Sequence, residues 1–284
     1  ARHSADEVSD LLAAPTLRSA AAAAHAPILF GNWARTAAQR PVDPRFVRGI
    51  VRRLTAGAGL RFELPHPNDQ RVRGSIADLD TALRRIPALG SPGWGIFLLV
   101  HQAETSGAMA AIPAVDPSDI VDAFRTMFRV AASSMVLDDP SAAPYEWTHC
   151  LSLPMGLWQS RGWIDDPLDA VDIALTHVVG FRAAYGDGEL GVYAPADPER
   201  ELAEALDDGP AAAAAAAFHA DAAGSLSLLI DRAAVEHDAH LVKYVHAVRD
   251  AIAMDPAATP LYLAAAAFLV AWWREHPPAD DPLR

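Results

Sequence analysis

Apolar residues recur at three- and four-residue spacing along almost the whole of this 284-residue chain, and no alternating run of strand length survives between its turn signals. That pattern predicts an all-α fold. The start signals agree, since Asp116-Pro117, Asp166-Pro167 and Thr259-Pro260 each set a capping side chain before a proline that suits a first helical turn. Helices are predicted near 5–13, 16–39, 44–56, 75–87, 94–110, 117–136, 145–160, 167–185, 197–206, 210–222, 225–253 and 260–274. The Pro- and Gly-bearing stretches at 57–73, 137–144 and 186–196 read as loops, none long or polar enough to separate independent domains. Residues 1–284 are therefore expected to form a single multi-helix globular domain with a buried histidine-rich core, any subdivision falling near 137–144.

At 51% hydrophobic residues the chain has material for a sizeable core. A net charge of -13 with no clustered basic stripe argues against a nucleic-acid backbone or an anionic membrane as partner, and for a small ligand, neutral or metal-bound. Cys150 is the only cysteine, which excludes an internal disulfide framework and suits a reducing, cytoplasmic compartment. The start, Ala1 to Glu7, reads as too acidic for a signal peptide. The longest apolar run, Leu261 to Trp273, is shorter than the roughly 20 residues of a membrane span and is expected to be a buried helix.

Of the 23 basic residues only Lys243 is a lysine. It lies in the apolar run Asp238-Ala239-His240-Leu241-Val242-Lys243-Tyr244. Arginine keeps its charge, whereas a desolvated lysine can become a neutral nucleophile, so a site that spares one lysine needs what arginine cannot do. The plainer alternative is an ammonium that snorkels from a core edge. On one helix His240 and Lys243 stand about 60° and one turn apart, so their side chains can converge beside the core. A metal ligand with a salt-bridge partner, a metal ligand with a carbamylated lysine, and a Schiff-base lysine all remain open. His246 falls on the opposite face and is assigned to solvent.

Four further histidines sit in apolar surroundings. His177 shares a helix face with Ala174, Val178 and Phe181; His149 precedes Pro154, expected to kink its helix; His25 is followed by Ala26-Pro27; and His101 stands three before Glu104. Several inward imidazoles in one α-helical core imply a shared purpose, and such sites suit iron, copper, zinc or nickel. The chain carries no Gly-rich phosphate loop, Gly-x-Ser-x-Gly elbow or His-Glu-x-x-His motif.

The segment Leu228 to Trp273 resembles the questin oxidase-like family. The residues that carry the likeness are Asp238-Ala239-His240-Leu241-Val242-Lys243-Tyr244, Asp255-Pro256 and Tyr262-Leu263-Ala264-Ala265-Ala266, with weaker echoes at His25-Ala26-Pro27, Trp147-Thr148-His149 and Thr176-His177. The resemblance implies an all-helical, iron-dependent oxygenase that oxidises or opens a ring of an aromatic polyketide such as an anthraquinone. It also implies a metal held by His25, His149, His177 and His240 with Lys243, most naturally Fe(II); the carbamate on Lys243 comes from the burial argument above. The implied partners are a small aromatic substrate and dioxygen, and NADPH is one candidate reductant. Two departures bear on the ligand set, for Ala24 replaces the Asn expected before His25, and His237 is an added histidine that serves as the reserve ligand.

Trp33, Trp147 and Trp158 are candidate pocket residues for such an oxygenase. Two other functions compete. The dipeptide His237-Asp238 resembles the pair of a metal-dependent phosphohydrolase, and a non-enzymatic protein that binds apolar ligands would use the same histidines as hydrogen-bond partners.

Overall fold

Capping side chains begin four of the eight described α-helices in the computed structural model, which describes residues 67–90, 102–138, 144–164, 166–195, 209–236 and 238–276. Among these residues 78% are helical and no strand forms, an isolated bridge between Arg73 and Ala114 aside. The all-α expectation holds. Helix α1 (Ile76–Arg84) opens with a capping box: the Ser75 hydroxyl accepts from the Asp78 backbone N–H while the Asp78 carboxylate accepts from the Ser75 N–H. Asp116 caps a 3-10 turn that runs into α2 (Ile120–Leu137). Helix α3 spans Pro144–Ser160, and α4 (Pro167–Tyr185) is capped by Asp166, which accepts from the Leu168 N–H. Then follow α5 (Pro210–His219), α6 (Ala222–Val235), α7 (Ala239–Met254) and α8 (Thr259–Glu275).

The structure corrects four local expectations. The helix expected over 225–253 is two, because Asp238 turns its carboxylate onto the His240 and Leu241 backbone N–H groups and so starts α7 afresh. Likewise Asp221 caps α6 and ends the expected 210–222 helix at His219. Gly107 adopts a left-handed φ of 68°, which closes off the described part of the 94–110 helix before a 3-10 turn at Ala108–Ala111. The Thr259 hydroxyl is not a cap either, since it donates to the Pro256 carbonyl and closes the turn ahead of α8. The helices expected at 5–13, 16–39, 44–56 and 197–206 lie outside the described residues, as do His25, Trp33, His101 and His237.

One hydrophobic core draws on all eight helices, with Leu79, Phe124, Leu151, Val178, Ala214, Leu229, Leu241 and Leu263 among its members. Helix α3 packs against α2, α4 and α7, while α8 packs against α5, α2, α6 and α7. The apolar stretch Pro256–Glu275 is long enough to cross a membrane by composition, yet 67% of it is buried against these neighbours. It is a core helix, as its sequence predicted. Helix α3 runs unbroken through Pro154, which removes the N–H that would have bonded the Cys150 carbonyl.

Two buried ion pairs tie loops to this bundle. Arg182, fully enclosed on α4, donates to Asp138 at the end of α2, to the Ser134 hydroxyl at 3.2 Å and to the Gly188 carbonyl, and this fixes the turn that leaves α4. Arg71 donates to Asp172 on α4, and the Asn68 N–H donates to the same carboxylate at 2.7 Å.

Candidate metal centre

Because α3 and α7 pack side by side, their histidines can meet. His149 on α3 and His240 in the first turn of α7 place their ring centroids 5.1 Å apart with the ring planes at 60°. Two imidazoles that share one ion through nitrogen bonds of about 2.1 Å have centroids about 4.6–5.3 Å apart for ordinary ligand angles. The pair's spacing fits two ligands of one ion and is equally an ordinary contact between packed rings.

Each ring is held by a neighbour. His149 is buried at 3% exposure, and the Phe181 ring from α4 stacks on it at 6.5 Å with 5° between planes. His240 sits over the Asp238 cap, its Nδ1 3.5 Å from the same Oδ1 that accepts the His240 and Leu241 N–H groups at 2.7 and 3.0 Å. Burial pushes the Asp238 carboxyl upward, but the hydrogen bonds from His240 and Leu241 outweigh it and hold the group below the ordinary carboxylate range. An Nδ1–H that closed on that carboxylate would leave Nε2 as the lone-pair donor, the carboxylate-histidine arrangement that orients metal-bound imidazoles.

Lys243 follows His240 by one turn and is half-buried. Burial lowers its pKa from the usual lysine value, against the upward pull of Asp238. His177 is fully buried on α4, one turn before Phe181. Among the described residues no three His, Cys, Asp or Glu side chains come near enough to hold one ion, so His177 does not complete a triad with His149 and His240. His25 lies outside the described residues.

Beside His149, the Thr148 Oγ1 stands 3.5 Å from Nδ1. Trp147 is buried and packs edge-on against Tyr185 at 6.5 Å, and its ring lies 6.4 Å from Phe181. Trp158 sits away from the pair near the far end of α3, between Phe124 at 5.4 Å and the Arg161 guanidinium at 3.4 Å. Burial drives the Cys150 thiol far above its usual range, which leaves it a packing residue rather than a thiolate. The Tyr244 hydroxyl is fully buried and makes no hydrogen bond to a described residue. His246, assigned to solvent by its helical phase, is instead half-buried with Nδ1 closed to water, because the other side of α7 is also covered.

Sequence reasoning overlooked the parts played by Asp238 and Phe181. An Asp two residues before the histidine is a legible cap signal, but it was masked by an apolar period that runs through it. No family model, curated protein or solved structure matches the chain.

Proposed function

We propose that this chain is a metal-dependent oxidoreductase of the non-haem oxygenase class, which binds a first-row metal at His149 and His240. The observation that carries this reading is the meeting of two imidazoles from separate helices with ring centroids 5.1 Å apart, one of them 3.5 Å from a carboxylate. Lys243 is the next ligand on the same helix face, and His25 is the ligand that the family resemblance adds. Two neutral imidazoles bring no negative charge to a divalent cation. A lysine whose ammonium is disfavoured by burial can supply it: the neutral amine adds to carbon dioxide, a C–N bond forms, one proton leaves, and the carbamate oxygen becomes an anionic donor. When bound, Fe(II) would supply dioxygen chemistry toward an aromatic, polyketide-like substrate. The chain's own part is to fix His149 under Phe181, to orient His240 through Asp238, and to keep the surroundings dry with Trp147, Phe181 and Tyr185.

The phosphohydrolase reading fares worse, because the Asp238 Oδ1 already accepts two backbone N–H groups as a helix cap. Oxygen uptake tests the proposal directly. Iron-reconstituted protein with a hydroxylated anthraquinone should consume dioxygen, and His240→Ala should abolish the consumption. Equal uptake by the variant would refute the assignment.

A further inference from the structure

Away from the histidine pair, α5, α6 and α8 enclose a groove of about 370 Å³. None of its lining residues belongs to α3 or α7. Its floor exists because α5 presents alanines, including Ala213 and Ala217, to Val270 and Ala271 of α8, and side chains this short leave space between helices that larger ones would fill. Leu228 stands on the rim with 49% of its surface exposed.

Two arginines, Arg232 from α6 and Arg274 from α8, line the groove beside this apolar floor. Both are exposed, and neither forms an ion pair with a described residue, although Asp231 and Glu275 are their chain neighbours. Two cations over one groove, neither paired with a described carboxylate, are a local exception on a chain of net charge -13. Arginine pairs are suited to a carboxylate, which they bind in a planar, multidentate fashion. The occupant's size follows from the volume: at about 30 Å³ per heavy atom, the share of a liquid water, the groove takes about twelve heavy atoms. A protein interface would need far more contiguous surface than this.

We infer that the groove between α5, α6 and α8 binds a small amphipathic carboxylate, its anionic head on Arg232 and Arg274 and an aliphatic body of about ten carbons along the alanine floor.

Calorimetric titration of the 284-residue chain with octanoate and decanoate, below micelle formation, tests this. Saturable binding at one site per chain is expected, tightening by up to about fourfold for each added methylene. Decanol and decylamine should bind at least tenfold more weakly than decanoate. The exposed pair Arg232→Gln/Arg274→Gln should weaken decanoate at least tenfold, and Ala216→Leu, an exposed lining position on α5, should block the groove while the circular dichroism stays that of the wild type. Decanoate binding that ignores both variants, or that decanol matches, overturns the inference. So does a wild-type dimer that the arginine variant dissociates, since a second copy would then be the occupant.

Discussion

His149 and His240 come from two helices far apart in the chain and meet with ring centroids 5.1 Å apart. Neither helix alone makes a site. Packing α3 against α7 brings the two rings together, with Phe181 behind one and Asp238 beneath the other.

Asp238 does two jobs that substitution can separate. Asn caps a helix as well as Asp, so Asp238→Asn should keep stability within a few tenths of a kcal/mol, whereas Asp238→Ala should lose about 1 kcal/mol. Both should loosen metal by about 10- to 100-fold, because each removes the carboxylate behind His240. Because its folded pKa is depressed, the Asp238 carboxylate contributes stability above the ordinary carboxylate range and loses it as pH falls through the folded value. Denaturant melts paired with metal titrations read both effects, and Asn binding metal as tightly as Asp would refute the orienting role.

Lys243→Arg keeps charge and approximate length but cannot form a carbamate. It should lose bound metal, and Lys243→Ala should recover part of it with acetate or formate. A snorkelling ammonium predicts instead that arginine is tolerated.

The buried Arg71–Asp172 pair gives a pH signature. Burial pushes the Asp172 carboxyl up to about 6, against the downward pulls of Arg71 and the Asn68 N–H. A carboxyl raised on folding contributes stability that is complete below its unfolded pKa of about 3.9 and is lost as pH rises through the folded value. Arg71→Met removes the partner that tolerates the ionised form. It should therefore destabilise by about 3 kcal/mol at pH 8 and by clearly less at pH 5. Equal losses at the two pH values would contradict the assignment.

Tyr244→Phe removes a buried hydroxyl that has no hydrogen-bond partner among the described residues. The variant should be at least as stable as the wild type, by up to about 1 kcal/mol, because the desolvation of an unsatisfied group is relieved. A loss above about 1 kcal/mol would show that the hydroxyl holds a buried water or ligand.

The proline-preceded helices were the most legible part of the fold: α4 runs over Pro167–Tyr185 as its Asp166-Pro167 signal and apolar period predict. The break between α6 and α7 was not, because Leu226, Ala233 and Leu241 keep an apolar rhythm through it and only the Asp238 cap interrupts the chain. Within the candidate site, the sequence named His149 and His240 from their apolar surroundings, but their meeting depends on how α3 packs against α7. Periodicity carries no information about which helix faces which. His177 shows the same limit from the other side, since an inward-facing imidazole was predicted and is found, yet burial did not place it with the pair.

Metal stoichiometry after reconstitution tests the central claim most directly. Chelator-stripped protein loaded anaerobically with Fe(II) or Co(II) and then desalted should retain about one ion per chain, and His149→Ala and His240→Ala should each retain almost none while keeping the helical circular dichroism of the wild type. Wild-type protein that retains no metal, or alanine variants that retain it at wild-type stoichiometry, would contradict a metal centre built on these two histidines.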